Sequence, residues 1–221
     1  MKFIKRILLY LVGFCIIAVG INISKLSGLG ISPVSSIPRA LEVTLGFSLG
    51  KMVMLVYVIL VLLQFLVLRK KFQPVNILGI ATALLFGTIV DFFGIDPNAP
   101  GHLLVNFPRP EGYLMRFIYL LCSIVIIAIG VTLYLKANLI PMPAEGLAAA
   151  IAQVSGKAFG DCKTIVDMSL ITIALIIQLI FLGGFKSFTG PNVVVREGTI
   201  LSAFLVGQVM KLIKKWGIFG K

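Results

Sequence analysis

The chain has 221 residues, 59% of them hydrophobic and 13% charged, with a mean hydropathy of +1.08. A soluble domain is closer to one quarter charged, and a membrane barrel would read as short alternating segments. The composition therefore excludes both and leaves a polytopic helical membrane protein. The formal net charge of +12 rests on Lys and Arg that cap hydrophobic segments, as cytoplasmic loops and anionic lipid favour. Membrane lipid is the partner this implies, and no separate basic domain is present to take a nucleic acid.

In chain order, the first apolar run is 7–24, behind Lys2, Lys5 and Arg6. A signal peptide begins in the same way. This run is long for one, however, and a similar segment recurs inside the chain, so a first transmembrane helix is expected. Next comes SKLSGLGIS (24–32), rich in poor helix formers, and then a short piece at 33–46 that opens on Pro33. Runs at 50–68 and 75–93 flank the cluster Arg69-Lys70-Lys71. A connector at 94–112, with Pro97, Pro100, Pro108 and Pro110, reads as a loop. Four further pieces follow at 113–135, 143–155, 160–182 and 198–214. The tail KLIKKWGIFGK, with its lysines and Trp216, has the composition of an inner-leaflet anchor.

The second half repeats the first. At a shift of 110 positions Arg6 falls on Arg116, Gly20 on Gly130, Pro33 on Pro143, Gly46 on Gly156 and Gly50 on Gly160. CIIAVG (15–20) then lies over VIIAIG (125–130). Further on the shift becomes 120, and LGIATALLFG (78–87) lies over GTILSAFLVG (198–207). Repeat 1 is thus 1–93 and repeat 2 is 113–221, joined by an extracytoplasmic connector at 94–112.

The second piece of each repeat is too short to span, because ~14 residues at 1.5 Å each make ~21 Å against ~30 Å of hydrocarbon. Each repeat is expected to hold three spans and one re-entrant half-helix. The fold is then all-α, with six transmembrane helices, two half-helices and two inverted repeats. With both termini in the cytoplasm, three crossings keep Arg69-Lys70-Lys71 inside. Eight spans, the alternative, would put that cluster outside against the positive-inside rule.

The stretch around Pro33 is read as an extended segment that returns toward the midplane and then starts a helix. Ser32 is a candidate N-cap with Pro33 at the first helical position, or Ser35 caps instead. LIPMPAEG (139–146) does the same in repeat 2. Irregular backbone at that depth must be buried in protein or line a cavity. Two half-helix N-termini near the midplane match the binding-site layout of many secondary transporters. The bland alternative is that Pro and Gly only kink packed helices.

The elements GLGISPVSSIPRAL, FSLGK, GKAFGDCKTIVD and VREGTILSAFLVG closely resemble the YczE/YyaS/YitT group of bacterial inner-membrane proteins. The likeness covers nearly the whole chain outside the connector. It implies a repeat-built, transport-related inner-membrane protein and supplies no substrate and no assigned site residues.

Ionisable residues inside a membrane are functional candidates by default. Asp167 lies nearly two turns into a span, one turn after Lys163, with Asp161 at the helix start; these three are the candidate ion-coupling residues. A structural salt bridge that docks the helix is the alternative. Candidate substrate-binding residues are Ser32, Ser35, Ser36 and Arg39 of the first half-helix, Glu145 of the second, and Arg196. Arg196 can take a carboxylate or phosphate bidentately or can snorkel to the interface. Glu145 can pair with Arg196 or Lys163, and Arg39 with Glu42.

Cys15, Cys122 and Cys162 form neither a disulfide framework nor a metal spacing. No enzyme signature, cofactor fingerprint or metal motif is present, so no enzymatic activity is expected. The leading expectation is a secondary transporter or channel-like permease for a small anionic or zwitterionic solute. A membrane subunit of an ATP-driven importer, a lipid translocase and a non-transporting scaffold stay open, as does homo-oligomerisation.

Overall fold

The computed structural model describes residues 3–96, 101–183 and 193–216. Among these, all regular structure is helical. The helices are α1 (Phe3–Ser27), α2 (Pro33–Leu45), α3 (Leu49–Leu68), α4 (Leu78–Phe92), α5 (Gly112–Ala137), α6 (Pro143–Ser155), α7 (Phe159–Phe181) and α8 (Glu197–Lys215). Two 3-10 turns, Arg69–Lys71 and Pro74–Ile77, join α3 to α4. Pro97 and Pro100 of the connector and the last five residues of the basic tail lie outside the described residues.

Five helices are long and apolar enough to cross a membrane: α1, α3 with the turn after it, α4 with the turn before it, α5 and α7. Helix α8 has 19 residues but starts on Glu197 and carries Lys211, Lys214 and Lys215 near its end. Its uncharged stretch is therefore shorter than a full crossing. Large apolar side chains such as Leu66, Leu114, Ile180 and Phe204 are exposed around the bundle, as a lipid-facing surface requires.

Helices α2 and α6 have 13 residues each, about 20 Å of length. Both begin with proline at the first helical position, where its missing N–H leaves nothing unpaired. Both end on a left-handed glycine, Gly46 (φ 75°) and Gly156 (φ 72°), whose N–H closes the last turn onto Glu42 and Ala152. A side chain at either position would be strained. Pro38 inside α2 removes the hydrogen bond that would reach the carbonyl of Val34.

Helices α1 and α5 run antiparallel in close backbone contact. Gly13 lies against Tyr134, Ile17 against Gly130 and Gly20 against Ile127. A Cβ on Gly13 would sit 2.8 Å from the Tyr134 nitrogen, and one on Gly130 would sit 2.8 Å from the Ile17 nitrogen. Small residues at such crossings let backbones approach where lipid supplies no hydrophobic drive to association. We expect Gly13→Ala and Gly130→Ala each to lower stability by roughly 1–3 kcal/mol, the usual penalty of overpacking. Gly207→Ala, whose Cβ would meet nothing within 4 Å, serves as the control. Thermal unfolding of the purified protein checks this, and equal melting of all three variants would refute it.

The rest of the bundle packs in matching pairs. Helix α2 lies on α3 and α7, and α6 lies on α7 and α3. Helix α4 packs on α1 as α8 packs on α5. An aromatic group at the centre ties four helices together: Phe14 meets Tyr10, Tyr134 and Phe86, and Phe86 stacks on Tyr57 at 5.9 Å. The start of α3 is capped from a different helix. The buried Asp91 of α4 accepts from Ser48 Oγ and from the Gly50 N–H, both at 2.7 Å. This satisfies one of the orphan donors of a helix N-terminus and places a carboxylate at its positive end.

Candidate functional site

The short helices α2 and α6 bring polar side chains to two places in the bundle. The first is at the start of α6. Glu145 lies in its first turn, where the positive end of the helix favours a carboxylate. Lys163, one turn into α7, reaches Glu145 at 3.8 Å and Asp167 at 2.6 Å. The spacing of four residues puts Lys163 and Asp167 on one helix face, and contact between α6 and α7 adds Glu145. Three candidates from two functional groupings thus form one cluster of two carboxylates around one ammonium.

Three tyrosines surround this cluster. The Tyr134 hydroxyl of α5 faces Glu145, while Tyr10 of α1 and Tyr57 of α3 lie within electrostatic reach of it. Tyr10 is committed, donating to the Ile140 carbonyl at 2.8 Å. Tyr134 Oη and Glu145 Oε2 are both buried with no hydrogen-bond partner among the described residues.

A cavity of about 110 Å³ adjoins the start of α6, lined by Gln64, Val75, Asn76, Gly79, Leu139, Ile140 and Pro141. Gln64 donates to the Pro143 carbonyl at 2.9 Å and packs directly on Gly146, beside Glu145. A side chain at Gly146 would strike Gln64 at 2.8 Å, so glycine there permits the contact.

The second place is α2. Arg39 and Glu42 pair at 2.6 Å, and Lys25 of α1 also bonds Glu42. All three side chains are at most 10% exposed. Asp96 lies within electrostatic reach of Lys25. Arg39 is thus held in a buried ion cluster near the end of α1.

The serines of α2 are spent locally. Ser32 sits at the N-cap position with no capping bond from its side chain to a helix N–H, and its hydroxyl meets that of Ser35 at 3.2 Å. Ser36 donates to the Pro33 carbonyl at 2.6 Å and the Leu170 carbonyl at 3.4 Å. That second contact places the start of α2 against the middle of α7. Around the starts of α2 and α6, Ile31, Val34 and Ile37 join Met142, Ala144 and Leu147 in one apolar cluster.

Arg196 is not brought to the carboxylates of α6 and α7. It pairs with Glu197 at 2.6 Å at the start of α8, where Tyr113 from the first turn of α5 also reaches Glu197. Asp161 is exposed in the first turn of α7 and stands apart from the cluster.

The segments before α2 and α6 differ. Residues 29–31 are sealed against 194–198: the Ile31 N–H donates to Val194 at 3.2 Å and the Gly198 N–H to Leu29 at 2.8 Å. Gln178 of α7 accepts from the N–H groups of Val194 and Val195. A Cβ on Gly30 would strike Thr199 Oγ1 at 2.5 Å. The matching segment 139–141 instead borders the cavity, opposite Val75, Asn76 and Gly79.

Tyr134, Gln64, Lys25 and Asp91 belong to these networks without any local motif to mark them. For Lys25 and Asp91 the available signal was an ionisable residue in or beside an apolar run. For Tyr134 there was none, since a tyrosine in an apolar helix most often serves packing or an interface.

The chain is 26% identical over 201 residues to the uncharacterized protein YyaS of Bacillus subtilis, covering 91% of this chain and 88% of that protein. It is 25% identical over 208 residues to an uncharacterized protein of Haemophilus influenzae, covering 94% and 82% respectively. No solved structure matches it. Residues 4–215 match the model of DUF6198, a family of unknown function, and the chain belongs to that family.

Proposed function

We propose that the protein is a small secondary transporter of the bacterial inner membrane, built from two inverted repeats, with its solute site at the Glu145–Lys163–Asp167 cluster. The single observation that carries this reading is the cluster itself. Three ionisable side chains are gathered at the start of a half-helix, separated from a cavity by Gln64, which packs on Gly146. Such groups are costly at membrane depth unless paired or used.

The packing supports inverted repeats. The first helices of the two halves, α1 and α5, are antiparallel. Each half-helix leans on the third helix of the other half, α2 on α7 and α6 on α3. In this reading α8 is the sixth span and α2 and α6 are re-entrant. The sealed junction at 29–31 and the open one at 139–141 are then the two sides of an alternating-access device, open toward the cytoplasm.

Between an anionic and a zwitterionic solute, the cluster favours the zwitterion. Glu145 and Asp167 can take its positive group and Lys163 its negative one. A thermal-shift screen of small metabolites on the purified protein tests this, because a ligand that prefers the folded state raises apparent stability. Zwitterions such as amino acids should raise the melting temperature of the wild type, and Asp167→Asn should abolish that rise while remaining folded. A rise unchanged in Asp167→Asn would move the site elsewhere. Purification only in company with an ATPase would favour the importer reading.

Topology is tested separately. In a background lacking Cys15, Cys122 and Cys162, His102→Cys should react with an impermeant thiol reagent applied to intact cells, and Gln73→Cys should not. Both positions are exposed on the protein, so access is decided by the side of the membrane. Labelling of Gln73→Cys from outside would overturn the six-span arrangement in favour of eight.

A further inference from the structure

Two carboxylates share one ammonium at the start of α6, and Lys163 has made its choice: 2.6 Å to Asp167 against 3.8 Å to Glu145. Glu145 is the surplus anion. Its Oε2 is buried without a partner, and so is the Tyr134 hydroxyl that faces it. Tyr134 is only 2% exposed, so bulk water does not readily satisfy its hydroxyl. An ionised carboxylate with an unfilled acceptor is expensive in such surroundings, and a proton on Glu145 or a turn of the Tyr134 hydroxyl toward it removes that cost.

Among the described residues, the charged and titratable groups facing Glu145 come from four helices besides its own. Helix α7 supplies Lys163 and Asp167, α5 supplies Tyr134, α3 supplies Tyr57 and α1 supplies Tyr10. The α6 N-terminus adds a partial positive charge. One full cation thus stands against two carboxylates, and a single proton closes the balance.

We propose that Glu145 is a proton-binding residue that takes up and releases one proton, with Tyr134 as its hydrogen-bond partner. A proton from water forms the O–H bond on Oε2 and the carboxylate becomes a neutral acid. Release returns the proton to water and restores the anion. The cavity edged by Gln64 and Ile140 stops at Gln64, which packs on Gly146 next to Glu145, and the proton path runs past that side chain. Lys163 stays with Asp167 when Glu145 is neutral and is drawn between the two carboxylates when it is not.

Proton binding here rests on reading the cluster as the transport site. Infrared difference spectra of the purified protein between high and low pH test it without any solute, so a silent carboxyl and a silent solute screen are separate failures. The wild type should gain the carbonyl stretch of a protonated carboxylic acid at a pH above the range in which exposed carboxylates protonate. Glu145→Gln should lose that band, Asp167→Asn should keep it but only at lower pH because Lys163 is then left to pair Glu145, and Tyr134→Phe should shift its frequency by removing its hydrogen-bond partner. Loss of the band in Asp167→Asn with survival in Glu145→Gln would move the proton to Asp167 and overturn the assignment. If Glu145→Gln fails to fold, Tyr134→Phe decides alone: an unshifted band refutes the pairing.

Discussion

Glu42→Gln is expected to destabilise the protein by about 3–5 kcal/mol, the range for breaking a buried ion cluster by removing one partner. Glu42 is the anion that Lys25 and Arg39 both bond, and its side chain is 5% exposed. The amide would leave two cations facing each other away from water. Total stability is typically only 5–15 kcal/mol, so a protein near the low end would not accumulate. Lys25→Met should be much milder, because the Arg39–Glu42 pair survives it. Removing all three charges (Lys25→Met, Arg39→Met, Glu42→Gln) should recover most of the loss, since burying no charge removes the desolvation penalty. Thermal unfolding in detergent reads the series. A Glu42→Gln variant that melts with the wild type would mean that water reaches this cluster freely.

Lys163→Met should have the second-largest effect, about 2–3 kcal/mol, and should also abolish any solute-induced rise in melting temperature. It leaves Glu145 and Asp167 as neighbouring anions with no cation between them. The loss is smaller than at Glu42 because Lys163 and Asp167 are 24% and 19% exposed, so the protein encloses them less completely than it does Glu42. Asp167→Asn should be better tolerated, since Lys163 keeps Glu145 as its counter-charge. Adding Asp167→Asn to Lys163→Met should restore stability without restoring solute binding. That split separates the two roles of the cluster. If the double variant binds solute like the wild type, the ion pair only docks α7 onto its neighbours.

Much of the architecture was legible in the sequence, because membrane helices announce themselves through length and hydropathy. The four pieces of each half, read from apolar runs and from Gly and Pro punctuation, lie within a few residues of the helices observed. Pro33 and Pro143 mark starts and Gly46 and Gly156 mark ends for local reasons of backbone geometry. The pairs Lys163–Asp167 and Arg39–Glu42 follow from helical spacing alone. Helix α8 was harder to read, because its terminal lysines shorten an otherwise apolar segment.

The membership of each cluster was not legible. Spacing cannot say that Glu145 meets Lys163 rather than Arg196, since that depends on which face of α6 turns to α7. Nor can it say that Tyr134 and Gln64 complete the surroundings of Glu145, or that Asp91 caps a helix 41 residues away in sequence. The sequence by itself determined an all-helical chain with helices apolar enough for a membrane, its helix limits and the pairs set by one turn of helix. All of these arise from hydropathy and backbone sterics within short windows. Only the tertiary structure decided which carboxylates share the ammonium of Lys163, which end of the bundle is sealed and where the cavity lies. These depend on how helices distant in sequence approach one another, and in this chain that approach is set by glycine contacts between facing backbones.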